Sequence, residues 1–230
     1  MERLIFEKQS KYAKIQLFED IEDKHITLSL DGFVQFEEGE NEQIYHRALT
    51  TPVIAQIENI KKVAILGGGD GLAARNLLQV KPDLDITLVD IDEEVVNLCR
   101  THPRIKKINQ GSLDKVKIII ADAKKWVLET KDKFSAVILD FPDPTSKELE
   151  ALYTVSFYKD VNNILDEEGV VSIQAGNNWI RTFSNAFKVF RDVRLLNYSI
   201  YNSFGHIVYG KNGRIGCKNY TIEEVLSRSS

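Results

Sequence analysis

Four aspartates stand at the ends of four successive predicted strands. The first strand, at 63–66, runs into a glycine loop that contains Asp70, and the next three strands end at Asp90, Asp122 and Asp140. In an open parallel sheet the ligand lies outside the carboxyl ends of the strands, so these side chains are expected to line one edge. Each one alone could be a helix N-cap or a loop residue. Their recurrence in successive turns predicts a site for a positively charged small molecule.

The glycine loop favours a ligand without phosphates. Three glycines at 67–69 let the backbone approach a ligand closely. A dinucleotide-binding fingerprint that starts at Gly67 would need glycine or alanine at position 72, where Leu72 stands. Asp70 also puts a negative charge where a pyrophosphate would bind. The sequence therefore disfavours NAD.

The next two strand ends suit the two halves of a nucleoside. Asp90 follows the glycine loop by about 20 residues, a position from which a carboxylate accepts hydrogen bonds from a ribose diol. Asp122 and Ala123 can contact an adenine amino group. These residues predict an adenosyl sulfonium ligand. Asp70 would repel the carboxylate of S-adenosylmethionine and attract the ammonium of its decarboxylated form, by about 4 kcal/mol for charges ~4 Å apart at an effective dielectric of ~20.

A stiff acidic loop follows the fourth strand. Asp140 and Asp143 stand three residues apart, and Pro142 and Pro144 restrict the loop that carries them. An alkylammonium must lose a proton before its lone pair can attack carbon. One carboxylate could accept that proton while the other anchors the cation. The loop could also be a rigid turn with two solvated acids.

Composition excludes several classes of protein. The chain has 230 residues, 43% of them hydrophobic, and a net charge of −4, so it can form its own core and lacks a basic excess for nucleic acid. No apolar run approaches the roughly 20 residues of a transmembrane helix, and the first residues lack the apolar stretch of a signal peptide. With only Cys99 and Cys217, we expect no disulfide framework, no metal site and a cytoplasmic location.

Two patterns divide the chain. In the first part, the turn signal Asp31-Gly32 predicts a hairpin, a solvated acidic loop is expected at 37–42 and a helix at 43–57. Alternating apolar residues predict the strands of this part at 12–18, 25–30 and 33–36. We expect this part, residues 1–50, to form a small N-terminal antiparallel β domain.

The second part, residues 51–230, alternates Ile/Val-rich strands with helices. This order is typical of an α/β fold with a doubly wound parallel sheet. The last two predicted strands, near 193–200 and 205–209, are expected to close one edge of the sheet as an antiparallel pair.

These motifs occur in an order that resembles the polyamine aminopropyltransferases, the spermidine and spermine synthase family. The resemblance extends from about residue 10 to residue 210 and is most specific in GGGDG at 67–71 and DFPDP at 140–144. It also includes LDGFVQ at 30–35, Tyr45-His46, VDID at 89–92, Asp122-Ala123 and Phe157-Tyr158. It implies a Rossmann-like, methyltransferase-type sheet. The implied reaction moves an aminopropyl group from decarboxylated S-adenosylmethionine to a di- or polyamine, such as putrescine, and releases methylthioadenosine.

The resemblance also implies roles for individual residues. Asp140 corresponds to the proton acceptor, and Asp143 to a second acid that holds the amine. Asp70 corresponds to the acid that grips the aminopropyl ammonium, between the donor and the amine. The other implied donor contacts are Asp90, Asp122, Ala123, His46 and Gln35, and the other implied amine contacts are Tyr45 and Tyr201.

Partners follow from the same resemblance. We expect small-molecule substrates, with decarboxylated S-adenosylmethionine as a co-substrate and no bound cofactor, and neither nucleic acid nor a membrane. A homodimer or homotetramer is expected because family members assemble in this way.

The chain departs from the family pattern at two places. Ala13 follows Tyr12 where a glutamine is usual, and His206-Ile207 stands where Trp-Gly is usual. Two alternatives stay open: a methyltransferase that uses intact S-adenosylmethionine on the same fold and, because of these departures, a non-catalytic relative of the family. The preferred amine is also open among putrescine, cadaverine, spermidine and agmatine-like compounds.

Overall fold

The N-terminal part forms a four-stranded antiparallel sheet in the computed structural model, which describes residues 1–56, 60–200 and 203–212. Its strands, in spatial order, are β1 (Glu2–Gln9), β2 (Lys14–Asp20), β3 (Ile26–Leu30) and β4 (Phe33–Glu37). Asp31 and Gly32 join β3 to β4 with φ angles of 51° and 81°, the conformation that two-residue hairpins favour. The sequence predicted this hairpin but not β1, whose mostly exposed residues show no regular apolar alternation.

A larger mixed sheet follows in the order β10-β11-β9-β8-β5-β6-β7. The five strands β5 to β9 run parallel, and β10 and β11 form the antiparallel pair predicted at one edge. The strand bounds are β5 (Lys62–Gly67), β6 (Asp85–Asp90), β7 (Lys117–Ile120), β8 (Phe134–Asp140), β9 (Leu165–Gln174), β10 (Asp192–Ile200) and β11 (Ser203–Lys211). This arrangement confirms the predicted fold class.

Helices cover the faces of the larger sheet. The described helices are α1 (Glu40–Gln56), α2 (Leu72–Val80), α3 (Glu93–Thr101), α4 (Pro103–Ile108), α5 (Ala123–Glu129), α6 (Lys147–Glu150), α7 (Val155–Ile164) and α8 (Trp179–Phe187). None of the helices in the described ranges is both long and apolar enough to cross a membrane. Helix α1 runs through residue 50, and the division of the chain at that residue stays a prediction.

Alternate residues of the central strands supply two separate cores. In β5, Val63 and Ile65 belong to a buried cluster that includes residues of α2 and the N-terminal sheet, whereas Ala64 and Leu66 belong to a second cluster that includes residues of α5 and α7. All four side chains are fully buried. Burial on both faces explains why this strand reads as a continuous apolar run in the sequence.

The strand order creates a switch point between β5 and β8. From β5 the chain moves outward to β6 and β7 on one side, and then returns to β8 and β9 on the other. A crevice at the carboxyl ends of the strands is expected at such a point, which is where open α/β sheets bind ligands. The glycine loop after β5 and Asp140 at the end of β8 flank it.

One expectation about the segment before α1 is wrong. Residues 37–42 are not a solvated acidic loop, since α1 begins at Glu40 and Glu42 lies inside it with 5% of its surface exposed. Glu42 is buried because it forms an ion pair with Arg75 of α2, at 2.7 Å.

Candidate active site

Asp140 ends β8 and lies directly beside the glycine loop. A Cβ atom placed on Gly68 would come within 3.0 Å of Asp140 Oδ2, so this contact leaves little space for a side chain. The hydroxyl of Tyr45, on α1, donates a hydrogen bond to Asp140 Oδ1. Burial and the charge of Asp140 raise the pKa of Tyr45 well above its usual value, so the phenol stays protonated and acts as a donor.

Gly67 allows the close approach of the loop and β8, and its replacement tests that geometry. Its φ is +82°, and an added Cβ would lie 2.2 Å from the Asp140 carbonyl oxygen. We expect Gly67→Ala to lower the free energy of unfolding by about 3 kcal/mol, because a left-handed backbone penalty and a forced backbone shift add together. Chemical denaturation measures the change.

Gly32 provides a matched control for this substitution. It has a φ of +81° but no atom within 4 Å of an added Cβ. Gly32→Ala should therefore cost only the backbone penalty, about 1 kcal/mol. Equal losses in the two variants would contradict the proposed steric role of Gly67.

Asp70 is the buried carboxylate of the glycine loop. Its Oδ1 accepts a hydrogen bond from the Leu72 amide at 2.8 Å, and its Oδ2 lies 3.9 Å from His46 Nε2. Burial raises the pKa of Asp70 to about 6, an effect that His46 opposes and the charge of Asp140 reinforces. Among the described residues, His46 is the basic side chain within ion-pair distance of this carboxylate.

His46 is fixed by a buried ion pair that sequence reasoning did not predict. Its Nδ1 lies 2.8 Å from Glu42 Oε1, and two nitrogens of Arg75 donate to the same carboxylate at 2.7 and 3.0 Å. The imidazole is buried, and its Nε2 has no hydrogen-bond partner. It is therefore not the surface histidine that its position on a helix would also allow. The four-residue spacing of Glu42 and His46 is a usable sequence signal, but Arg75 joins them only through packing.

Asp90 lies on the other side of the glycine loop. Its Oδ2 accepts a hydrogen bond from the Gly69 amide at 3.0 Å, and its Oδ1 accepts one from the Asp92 amide at 2.9 Å. Burial raises the pKa of Asp90, while the two amides oppose the rise. An added Cβ on Gly69 would lie 2.7 Å from Asp90 Oδ2, so this glycine also permits a close approach.

Asp122 and Ala123 lie at the end of β7, next to Asp90. The Ala121 amide donates to the Asp90 carbonyl oxygen at 2.9 Å, which joins the two strand ends. Asp122 is the N-cap of α5, and its Oδ1 accepts hydrogen bonds from the amides of Lys124 and Lys125. Capping occupies one carboxylate oxygen of Asp122, and Ala123 is buried behind it.

Asp143 lies between the β8 loop and the end of β9. Gln174 Nε2 donates to Asp143 Oδ1 at 3.1 Å, and the Tyr153 hydroxyl lies 3.0 Å from Gln174 Oε1. Burial raises the pKa of the Tyr198 phenol, on β10, and the nearby charges of Asp140 and Asp143 raise it further. No local sequence pattern indicates Tyr153 and Tyr198, because their contacts depend on how β9 and β10 return to β8.

Two predicted site residues are not brought into this cluster. Gln35 lies on β4, and its side chain donates to the Phe33 carbonyl oxygen at 3.0 Å. Tyr201 lies outside the described residues.

The two departures from the family pattern lie at separate places. Ala13 belongs to the loop after β1, where its amide donates to Ser10 Oγ at 3.0 Å. Ser10 in turn contacts Asp92, two residues beyond Asp90. His206 lies on β11, and its ring centroid is 5.1 Å from that of Trp179.

The strand order arranges these groups in a row along the sheet edge. Following β7, β6, β5, β8 and β9, the row contains Asp122, Asp90, Asp70, Asp140 with Asp143, and Gln174. Four gaps between neighbouring strands make the row about 19 Å long. The row can hold an extended ligand or two ligands that meet near Asp70 and Asp140.

The profile of the spermine/spermidine synthase domain family matches residues 42–197. The chain belongs to this family. The match includes α1 from its third residue onward, the glycine loop and the β8 loop, which are the elements that carry the site.

Curated members of the spermine/spermidine synthase family share substantial sequence with this chain. A polyamine aminopropyltransferase of Oceanobacillus iheyensis is 38% identical over 174 residues, which are 75% of this chain and 33% of the relative. Polyamine aminopropyltransferase 2 of Aquifex aeolicus is 31% identical over 232 residues, with 97% of this chain and 46% of the relative covered. The chain thus spans between a third and about half of the length of these two relatives.

A solved structure of the family has the same fold. A spermidine synthase crystallised with the transition-state analogue AdoDATO superposes with a TM-score of 0.88 at 27% identity. The superposition covers 99% of this chain and 80% of that protein. It confirms the methyltransferase-like sheet that the resemblance implied. The homo-oligomer and the cytoplasmic location stay predictions.

Proposed function

We propose that this chain transfers an aminopropyl group from decarboxylated S-adenosylmethionine to a di- or polyamine, with putrescine as the first candidate, and releases methylthioadenosine. The observation that carries this proposal is the largely buried carboxylate of Asp70, with 12% of its side chain exposed, which lies 3.9 Å from an unpartnered imidazole nitrogen. A buried carboxylate is unfavourable unless a cation neutralises it. The ammonium of the decarboxylated donor would do so, whereas the carboxylate of S-adenosylmethionine would be repelled.

The neighbouring acids support a role in amine activation. Asp140 has one oxygen that accepts from Tyr45 and a second that faces the glycine loop, and Asp143 lies beyond it toward β9. An amine held by Asp143 could transfer its proton to Asp140 and attack the methylene carbon next to sulfur. A new C–N bond forms, the C–S bond breaks, and the electron pair stays on sulfur in the neutral thioether. Because sulfonium is already a good leaving group, positioning is expected to contribute most to the rate.

A product assay across a panel of amines tests the proposal. The purified protein is incubated with decarboxylated S-adenosylmethionine and each of putrescine, cadaverine, spermidine and agmatine, and the products are identified by mass spectrometry. We expect equal amounts of methylthioadenosine and of one aminopropylated amine. A parallel series with S-adenosylmethionine should give no methylated amine.

Two results would contradict the proposal in different ways. Methylated amine and S-adenosylhomocysteine in the parallel series would indicate a methyltransferase. Binding of the decarboxylated donor without any product would indicate a non-catalytic relative, the alternative that Ala13 and His206-Ile207 kept open.

A further inference from the structure

A series of charge contacts indicates how the charge of Asp70 is balanced before a donor binds. It links Arg75 to Glu42, Glu42 to His46 and His46 to Asp70. We propose that in the ligand-free protein a protonated His46 serves as the cation partner of Asp70, and that the ammonium of the donor displaces this proton to solvent. Donor binding would then release one proton, and donor affinity would depend on pH. The inference rests on the proposed function, because it takes decarboxylated S-adenosylmethionine as the ligand.

The first step of the argument is the orientation of the imidazole. Glu42 Oε1 lies 2.8 Å from His46 Nδ1, and Arg75 holds that carboxylate through two nitrogens at 2.7 and 3.0 Å. Glu42 therefore stays ionised and keeps a proton on Nδ1. A second proton on the ring must then sit on Nε2, the atom that faces Asp70.

The second step concerns Nε2 itself. This nitrogen is buried, has no hydrogen-bond partner, and lies 3.9 Å from Asp70 Oδ2. A buried nitrogen without a partner is costly, and a small approach of the two groups would form a charge-assisted hydrogen bond when Nε2 is protonated. The geometry thus favours an imidazolium while Asp70 has no other cation.

The third step is the charge balance around the ring. The described residues place four charged groups, from four elements, and two phenols around His46. The charged groups are Glu42, Arg75, Asp70 and Asp140, and the phenols are those of Tyr45 and Tyr198. Three of these groups are acids and one is a permanent cation. Burial lowers the pKa of His46, but the hydrogen bond to Glu42 and the charges of Asp70 and Asp140 outweigh it and raise the pKa above its usual value.

The final step is the exchange. When the donor ammonium binds Asp70, a protonated His46 would face a second cation across a few ångströms of a largely buried site. Like charges in such surroundings disfavour each other, so the imidazolium loses its Nε2 proton. Between the pKa of Asp70, about 6, and the raised pKa of the imidazolium in the free protein, donor affinity should rise about tenfold per pH unit, and above the imidazolium pKa it should become constant.

Calorimetry in buffers with different ionisation enthalpies measures the proton directly. Three probes separate the charges of the donor: decarboxylated S-adenosylmethionine, methylthioadenosine, and the dimethylsulfonium analogue of methylthioadenosine, which has the sulfonium but no aminopropyl arm. We expect the first probe to release up to one proton near neutral pH, above the pKa of about 6 of Asp70, and almost none at high pH. The other two probes should release almost none at either pH.

Two variants and one spectrum identify the group that holds the proton. His46→Asn should abolish the proton release seen near neutral pH and the pH dependence of donor affinity in that range, whereas His25→Asn, at a ring with 45% of its side chain exposed, should change neither. If the His46 variant does not fold, carbon NMR of the wild-type histidine rings still reports whether the ring of His46 changes from imidazolium to neutral on donor binding.

The outcomes distinguish this inference from the proposed function. Failure of the decarboxylated donor to bind at any pH would overturn both. Binding without proton release near neutral pH, or release in that range that persists in His46→Asn, would overturn this inference and leave the proposed function standing.

Discussion

Asp70→Asn is expected to weaken the binding of decarboxylated S-adenosylmethionine about 100-fold. The carboxylate is buried in the glycine loop, and its attraction for an ammonium about 4 Å away is roughly 4 kcal/mol at an effective dielectric of ~20. Part of this energy is offset because the ammonium loses its hydration and, under our inference, because a proton must leave His46. A net loss of about 2.7 kcal/mol corresponds to the 100-fold change. Calorimetric titration of the donor into both proteins measures it.

Two ligands make this prediction specific to charge. Methylthioadenosine has no ammonium, so its affinity should be nearly the same in Asp70→Asn and in the wild type. S-adenosylmethionine, whose carboxylate Asp70 repels, should bind the variant at least as tightly as it binds the wild type. A variant that loses affinity for methylthioadenosine as strongly as for the donor would indicate that Asp70 shapes the loop and does not recognise the ammonium.

The central strands of the larger sheet are well predicted by the sequence because they are buried on both faces. Runs such as those of β5 and β8 are continuous and apolar, and their spacing leaves room for helices between them. Strand β1 was missed because most of its side chains are exposed, and it is held through backbone pairing with β2. The predicted start of α1 is also wrong, since Glu42 looks like part of a solvated acidic run until Arg75 is brought beside it.

The candidate site was predictable to the extent that strand ends determine it. Asp90 and Asp140 are the last residues of β6 and β8, so a correct prediction of the strands already placed them at one edge of the sheet. The supporting side chains were not predictable in this way. Arg75 reaches Glu42 across a gap of 33 residues in sequence, and Tyr198 reaches the acids from a strand that returns antiparallel at the far edge. Such contacts depend on helix packing and connections that no local pattern specifies.

Asp140→Asn should reduce turnover of the amine at neutral pH by about 100-fold or more. The variant keeps the size of the side chain and an oxygen that can accept from Tyr45, but it removes the group that would take the proton of the amine. The loss should fall mainly on kcat, because Asp70 still binds the donor. Steady-state rates of methylthioadenosine release with saturating donor measure the effect.

The pH dependence of the residual rate distinguishes a lost proton acceptor from a distorted site. Alkylammonium groups have a pKa near 10, so without Asp140 the amine must arrive already deprotonated. The rate of Asp140→Asn should then rise about tenfold per pH unit over the range where the wild-type rate is nearly constant.

Asp83→Asn, the same chemical change at an exposed loop residue, should leave both the rate and its pH profile unchanged. Near-normal turnover of Asp140→Asn at neutral pH would remove Asp140 from the role of proton acceptor. A loss of the same size at every pH would assign Asp140 to positioning. A higher concentration of free amine can compensate for a missing base, but it cannot correct a distorted site.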